Sequence, residues 1–248
     1  MSTPSRIALV TGATRGIGLE TVRQLAAEGV HTLLAGRDPA RTAAAAAVLQ
    51  AEGLPVESIT LDVTDAASIL AAAARVRERH GRLDILANNA GIFLDDPDKA
   101  PSEQSLAAWR DTFETNLFGL VAVTQAFLTL LRESAAGRIV NVSSSLASLV
   151  LNNDAGYEFY DFKMPAYNVS KSAVNAWTVQ LAWELKGSGV KVNTIHPGYV
   201  KTDMTMAHGE QGGDLEVSDG ARTSVRLALI DDDGPSGGFF HRDEVLPW

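Results

Sequence analysis

Tyr167 and Lys171 stand four residues apart in Tyr167-Asn-Val-Ser-Lys171. On a helix, that spacing places a phenol and an ammonium on one face. A phenol in water titrates near about 10 and exchanges its proton poorly at neutral pH, but a neighbouring cation favours the phenolate. The pair therefore reads either as an acid–base unit or as an ordinary surface pair. Upstream, Asn141-Val-Ser-Ser-Ser145 closes an apolar run with three hydroxyls. A serine there can hold a carbonyl oxygen without acting as a nucleophile. No Gly-x-Ser-x-Gly elbow surrounds it, which weighs against acyl transfer.

A second chemical centre lies near the start of the chain, in Thr11-Gly12-Ala13-Thr14-Arg15-Gly16-Ile17-Gly18. Gly12 suits a tight turn, Gly16 lets backbone approach a ligand, and Gly18 allows a helix to pack closely on a strand. A helix starting here offers free N–H groups and a positive dipole end to a pyrophosphate. The same glycines could form a βα turn that binds nothing. A Walker A loop is excluded because no Lys-Ser/Thr pair follows. The next strand ends in Ala35-Gly36-Arg37-Asp38. NAD-binding sheets usually carry an acid there for the ribose 2′-hydroxyl. Gly36 takes that place, and Arg37, with Arg15, can fork onto a 2′-phosphate. NADP(H) is expected, with NAD(H) as the alternative, and Asp38 is expected to cap the following helix.

These groups must be positioned by alternating strands and helices. Apolar runs at 7–10, 32–35, 56–61, 83–87, 138–142 and 190–195 read as strands, with a short seventh at 238–240. Helical periodicity occupies the segment after Gly18, residues 65–79, 106–132 and 167–186. Six or seven β–α units without a sequence repeat predict a single α/β domain over 1–248. The expected architecture is a doubly wound Rossmann fold with a mostly parallel sheet. Substrate-side loops are expected at 92–105, 149–165 and 203–221, where strand ends or breaks in periodicity fall. The aromatic residues Tyr157, Phe159, Tyr160 and Phe162 in the second loop, with Phe93 and Leu94, could line an apolar pocket or fill the core.

The 248 residues carry 30 acidic and 21 basic side chains, a net charge of −9. That balance argues against a nucleic-acid or anionic-membrane surface. Absence of cysteine removes disulfides, thiol nucleophiles, iron–sulfur ligation and thiolate zinc. The five histidines are scattered without a His-Glu-x-x-His motif, so no metal site is expected. Neither a signal-peptide core nor a membrane span is evident, and a soluble cytoplasmic protein is the expectation.

Taken in order, these motifs closely resemble the short-chain dehydrogenase/reductase family. The matching segments are the glycine loop at 11–18, Asn88-Asn89-Ala90-Gly91, and Tyr167-x-x-x-Lys171. The resemblance spans nearly the whole chain. It implies a catalytic set of Asn116, Ser144, Tyr167 and Lys171, with Ser143 and Ser145 as fallbacks for Ser144. It also implies that Asp62 and Val63 contact adenine, and that Asn89, Ala90 and Gly91 form the cofactor-side turn. Pro197, Gly198, Val200 and Thr202 would lie on the nicotinamide side. Asn116 would support a water–lysine proton relay.

One departure stands out. Ser144 and Tyr167 are 23 residues apart, a longer separation than the family's usual one, and the extra residues fall within 149–165. Some monomeric carbonyl reductases of the family carry such an insertion, and the C-terminal segment also resembles that branch. Homo-oligomerisation and a monomer both stay open. The implied reaction is reversible hydride transfer between NADP(H) and an aldehyde or ketone. A fatty-acid-type 3-oxoacyl ketoreductase and a non-catalytic NADP(H) sensor are the alternatives.

Overall fold

Strands such as Ile7-Ala-Leu-Val10 are buried along their whole length. They suit only the interior of a sheet covered on both faces. The computed structural model, which describes residues 5–206 and 212–248, contains that sheet. In chain order the elements are β1 (Ile7–Val10), α1 (Gly16–Ala27), β2 (His31–Gly36), α2 (Pro39–Ala51), β3 (Val56–Thr60), α3 (Ala66–His80) and β4 (Ile85–Asn88). There follow α4 (Leu106–Phe113), α5 (Leu120–Arg132), β5 (Arg138–Val142), α6 (Leu149–Asn152), α7 (Pro165–Glu184) and β6 (Lys191–Ile195). The chain ends with α8 (Asp203–Met206), α9 (Val217–Ala228), β7 (Phe239–His241) and β8 (Glu244–Val245).

The strand order is β3-β2-β1-β4-β5-β6-β7-β8, parallel throughout except for the final β7–β8 pair. The order reverses between β1 and β4, which is where a doubly wound sheet opens a crevice at its strand ends. One core layer packs Leu9, Leu33, Val123, Phe127 and Leu181 on one side of the sheet. The other packs Val10, Val22, Leu25, Ile85 and Leu227 on the opposite side. The eighth strand was not expected from sequence. At two residues, both exposed, it carries no hydrophobic pattern to read.

Local signals explain the helix starts. Asp38 accepts a hydrogen bond from Arg41 N at 3.0 Å, with Pro39 in the first turn of α2. Asp65 does the same for α3 through Ala67 N at 2.9 Å. Each such cap contributes about 1 kcal/mol. Within the helical stretch Leu106–Arg132 an 18-residue window has mean hydropathy 1.3, long and apolar enough to cross a membrane by length and composition alone. Its Leu120, Val123, Phe127, Leu130 and Leu131 are buried in the core. The stretch is not uniform: Glu114–Gly119 forms a π-helical turn between α4 and α5. The extra residue per turn that such segments insert is typical of sites that must aim a side chain.

Candidate active site

The glycine loop joins β1 to α1 as expected. Gly12 and Gly16 have φ of 62° and 56°, a left-handed geometry that favours glycine. Asn89 and Ala90 both donate from the backbone to Thr11 Oγ1, at 3.0 and 3.1 Å, and Asn89 Nδ2 donates to Thr11 O at 2.9 Å. These bonds hold the turn after β4, with Gly91, against the loop. Ile17 and Gly18 lie in the first turn of α1, whose cap residue Arg15 provides no side-chain hydrogen bond. The first N–H groups of that helix are therefore available to an anion.

Gly36 ends β2 against this loop. A Cβ built on it would lie 2.5 Å from both Thr14 Cγ2 and Thr42 Oγ1. The missing carboxylate at position 36 thus has a packing cause as well as a ligand-binding one. Arg37 is exposed beyond it and, among the described residues, has no ion-pair partner. Arg15, expected beside the same phosphate as Arg37, is exposed and its Nη1 lies 2.5 Å from Asp203 Oδ2. Asp62 accepts from Thr64 N at 3.0 Å and Val63 lies against Gly119, so both sit at the carboxyl end of β3. Pro197 and Gly198 follow β6, Val200 is buried, and Thr202 Cγ2 is 3.7 Å from a Cβ built on Gly16. The residues expected from sequence to bind a dinucleotide therefore gather beyond the carboxyl ends of β1, β2, β3, β4 and β6. A Cβ on Gly12 would lie 2.8 Å from Ala90 Cα and one on Gly18 2.4 Å from Asn89 Nδ2, so these two glycines let the loop pack tightly. A Cβ on Gly16 would meet only Thr202 Cγ2, and the loop backbone there, with the free N–H groups of α1, fits a bound dinucleotide.

Tyr167 and Lys171 lie in the first two turns of α7, with Lys171 Nζ 5.8 Å from the Tyr167 ring centre. Lys171 is buried and donates to Val142 O at 2.8 Å. Burial pushes its ammonium down to about 8. Burial likewise pushes the Tyr167 phenol up to about 12, outweighing the hydrogen bond with Ser144 that favours the phenolate. In the protein alone the net shift of Tyr167 is thus upward, set by desolvation.

The three serines take separate tasks. Ser144 pairs with Tyr167 and also accepts from Leu146 N at 3.2 Å. Ser143 Oγ donates to Lys171 O at 3.3 Å, and Ser145 Oγ accepts from Tyr157 OH at 2.6 Å. Asn116, fully buried in the π turn, accepts from Ile92 N at 2.8 Å and donates to Ile92 O at 2.9 Å and Ser170 Oγ at 3.0 Å. A Cβ at Gly91 would lie 3.3 Å from Lys171 Nζ and 3.4 Å from Asn116 Oδ1. The cofactor turn therefore abuts both side chains.

Around Tyr167 stand aromatic rings: Phe93 at 5.1 Å, then Phe162 at 6.1 Å from Phe93. Tyr157, Phe159 and Tyr199 form a second chain of edge contacts at 5.6 Å each. His196, just before Pro197, is pushed down to about 3 by burial and by His241, so it carries no charge at physiological pH. Of the substrate-side loops, 203–221 includes residues 207–211, which lie outside those described.

Two features escaped the sequence. Asn88, read only as part of the glycine-containing turn, donates to Thr124 Oγ1 and Asn141 Oδ1 at 3.0 and 2.9 Å, and Asn141 donates to Thr178 at 2.9 Å. This ladder ties α5, β4, β5 and α7 behind the site. Buried asparagines in strands are a usable signal for such a network. The second concerns His31, Glu57 and His80, whose donor atoms converge within 4.8 Å at the amino ends of β2 and β3. Arg75 and Arg79 already pair with Glu57 Oε1. Two guanidiniums supply the cationic charge there, so the cluster reads as an ion-pair network remote from the crevice.

Comparison with known proteins agrees with this arrangement. Residues 6–212 match the model of the short chain dehydrogenase family. A (+)-neomenthol dehydrogenase of Arabidopsis thaliana is 38% identical, covering 97% of each chain. A putative ketoacyl reductase of monensin polyketide synthesis from Streptomyces virginiae is 39% identical over 81% of this chain and 72% of its own. A carbonyl reductase from chicken fatty liver with NADPH bound superposes with a TM-score of 0.85 at 30% identity, covering 98% of this chain and 94% of that one. With its glycine cradle, its buried lysine and its tyrosine–serine pair at the carboxyl ends of one parallel sheet, the chain belongs to the short-chain dehydrogenase/reductase family.

Proposed function

We propose that the protein is an NADPH-dependent reductase of apolar aldehydes or ketones, working reversibly on the corresponding alcohols. The observation that carries this reading is the placement of Tyr167 and the buried Lys171 in the first two turns of α7, with Lys171 Nζ 5.8 Å from the Tyr167 ring centre and Ser144 beside the phenol. Bound NADPH supplies the hydride for the carbonyl carbon. Ser144 and Tyr167 both hydrogen-bond the carbonyl oxygen and stabilise the charge that grows there. Tyr167, held neutral by burial, donates its proton as the alkoxide forms. In the oxidising direction it accepts that proton. Lys171 orients the nicotinamide-side ribose and, when protonated, offsets the phenolate left behind. Asn116 holds the Ile92 backbone beside this pair and supports proton return from solvent.

The neomenthol dehydrogenase and carbonyl reductase likenesses support a small carbonyl substrate. The aromatic rings at the mouth suit an apolar, cyclic one. Arg37 supports the choice of NADPH, since it stands free at the end of β2 where a 2′-phosphate would arrive. Arg15 closes the pyrophosphate side with Asp203 and contributes less to the 2′ position. The polyketide ketoacyl reductase likeness favours one further reading, an extended 3-oxoacyl substrate. A panel of cyclic ketones, aliphatic aldehydes and 3-oxoacyl thioesters, followed by NADPH absorbance, separates the two. Turnover of none of them would contradict the reductase assignment.

A further inference from the structure

Helix α7, which carries Tyr167 and Lys171, begins without a cap of its own. Its cap position is Met164, which offers no side-chain acceptor, and Pro165 has no N–H to give. The next two N–H groups, of Ala166 and Tyr167, have no partner within the helix. Both are satisfied from 71 and 72 residues away. Asp95 Oδ1 accepts from Ala166 N at 2.8 Å, and Asp95 Oδ2 accepts from Tyr167 N at 2.9 Å. Asp95 is 3% exposed. Both oxygens of a buried carboxylate are thus spent on the positive end of one helix, a pairing that charge and dipole both favour.

The segment that delivers Asp95 also meets the other members of the site. Gly91 abuts Lys171 and Asn116, Ile92 exchanges two hydrogen bonds with Asn116, and the Phe93 ring packs on Tyr167. Residues 91–95 run directly on from the Asn89–Ala90 turn that is bonded to the glycine loop. In sequence, Asp95-Asp96-Pro97-Asp98 looks like a solvated acidic turn, and nothing there distinguishes the first aspartate from the others.

We propose that Asp95 is a positioning residue for the reaction: it fixes the backbone of Tyr167, and so the phenol, relative to the cofactor turn. This rests on the reading of Tyr167 as proton donor. Replacing Asp95 by Asn leaves one acceptor oxygen and turns an NH2 toward a backbone N–H. The helix start must then shift. Small displacements of a reacting group are costly to rate while leaving remote binding contacts intact.

The test compares Asp95→Asn with wild type in single-turnover NADPH oxidation with an accepted ketone, alongside NADPH affinity by fluorescence. The expected result is a rate lowered about 10- to 100-fold with NADPH Kd moved by less than about 3-fold. The solvent isotope effect should also rise, because proton donation becomes the slow event. A rate within about 2-fold of wild type, a loss that tracks NADPH affinity, or an unchanged isotope effect would each overturn the assignment. Asp95→Ser, a competent cap with one oxygen, serves if the Asn variant does not fold. Failure of both to fold makes Asp95 a purely structural cap and also overturns it. Tyr167→Phe run in parallel keeps the two readings apart: full activity there removes the proton-donor role itself, whatever Asp95 does.

Discussion

Asn116 exchanges two hydrogen bonds with the backbone of Ile92, 24 residues earlier, accepting at 2.8 Å and donating at 2.9 Å. The π turn at Glu114–Gly119 is what swings the amide out of the helix to reach it. An isosteric apolar residue would leave the Ile92 N–H and C=O without these partners in a half-buried setting. Asn116→Leu should lose about 1–3 kcal/mol of stability by denaturant unfolding, from two half-buried groups left without their partners. It should also lower kcat, because the segment beside Lys171 loses its anchor. A variant as stable as wild type would show that Ile92 finds other partners.

Lys171 is kept in its site against its own desolvation. Its pKa is lowered from 10.5 to about 8 in the folded protein, so the unfolded chain binds more protons between those values. Stability contributed by this group therefore rises as pH increases from about 8 to about 10.5 and is lowest below that window. Lys171→Met should be inactive yet more stable than wild type at pH 7, with the advantage fading towards pH 10. Thermal unfolding across that range checks it. A variant destabilised equally at all pH values would mean that the bond to Val142 O outweighs the charge.

Arg37 and Gly36 separate two explanations of cofactor choice. Arg37→Ala should weaken NADPH binding by about tenfold, or 1.4 kcal/mol, the scale of one exposed charge-assisted contact, while NADH binding stays as it was. Parallel fluorescence titrations of the two nucleotides decide it. Equal losses for both would place Arg37 on the adenine or ribose rather than on a 2′-phosphate.

Gly36→Asp, the exchange that pattern reading suggests for a switch to NADH, should fail for a packing reason. Its Cβ would collide with Thr14 Cγ2 and Thr42 Oγ1 at 2.5 Å. The variant should unfold several degrees earlier and bind both nucleotides poorly, since the glycine loop must move. A stable variant that binds NADH more tightly would show that Thr14 yields easily.

The strands and the glycine loop were legible in the sequence because both follow short-range rules. Apolar runs of four to six residues mark buried parallel strands, and Gly12 and Gly16 mark backbone that other residues rarely adopt. Residue type alone does not separate Ser144 from Ser143 and Ser145; the family resemblance singled it out, and the different partners of the three hydroxyls come only from the fold. Asp95 was invisible for a related reason: its partners lie 71 and 72 residues away, and its neighbours are also acidic. The direction of the Tyr167 shift in the protein alone was not legible either. A charge four residues away is evident in sequence, whereas the burial that sets the shift is not.

The account turns on proton donation by Tyr167, and Tyr167→Phe tests that most directly. The substitution removes one hydroxyl and keeps the ring that packs on Phe93. With an accepted ketone, single-turnover NADPH oxidation should slow by about 10²- to 10⁴-fold, the usual contribution of a positioned acid, with NADPH Kd within about 3-fold of wild type. Oxidation at the wild-type rate would contradict the mechanism.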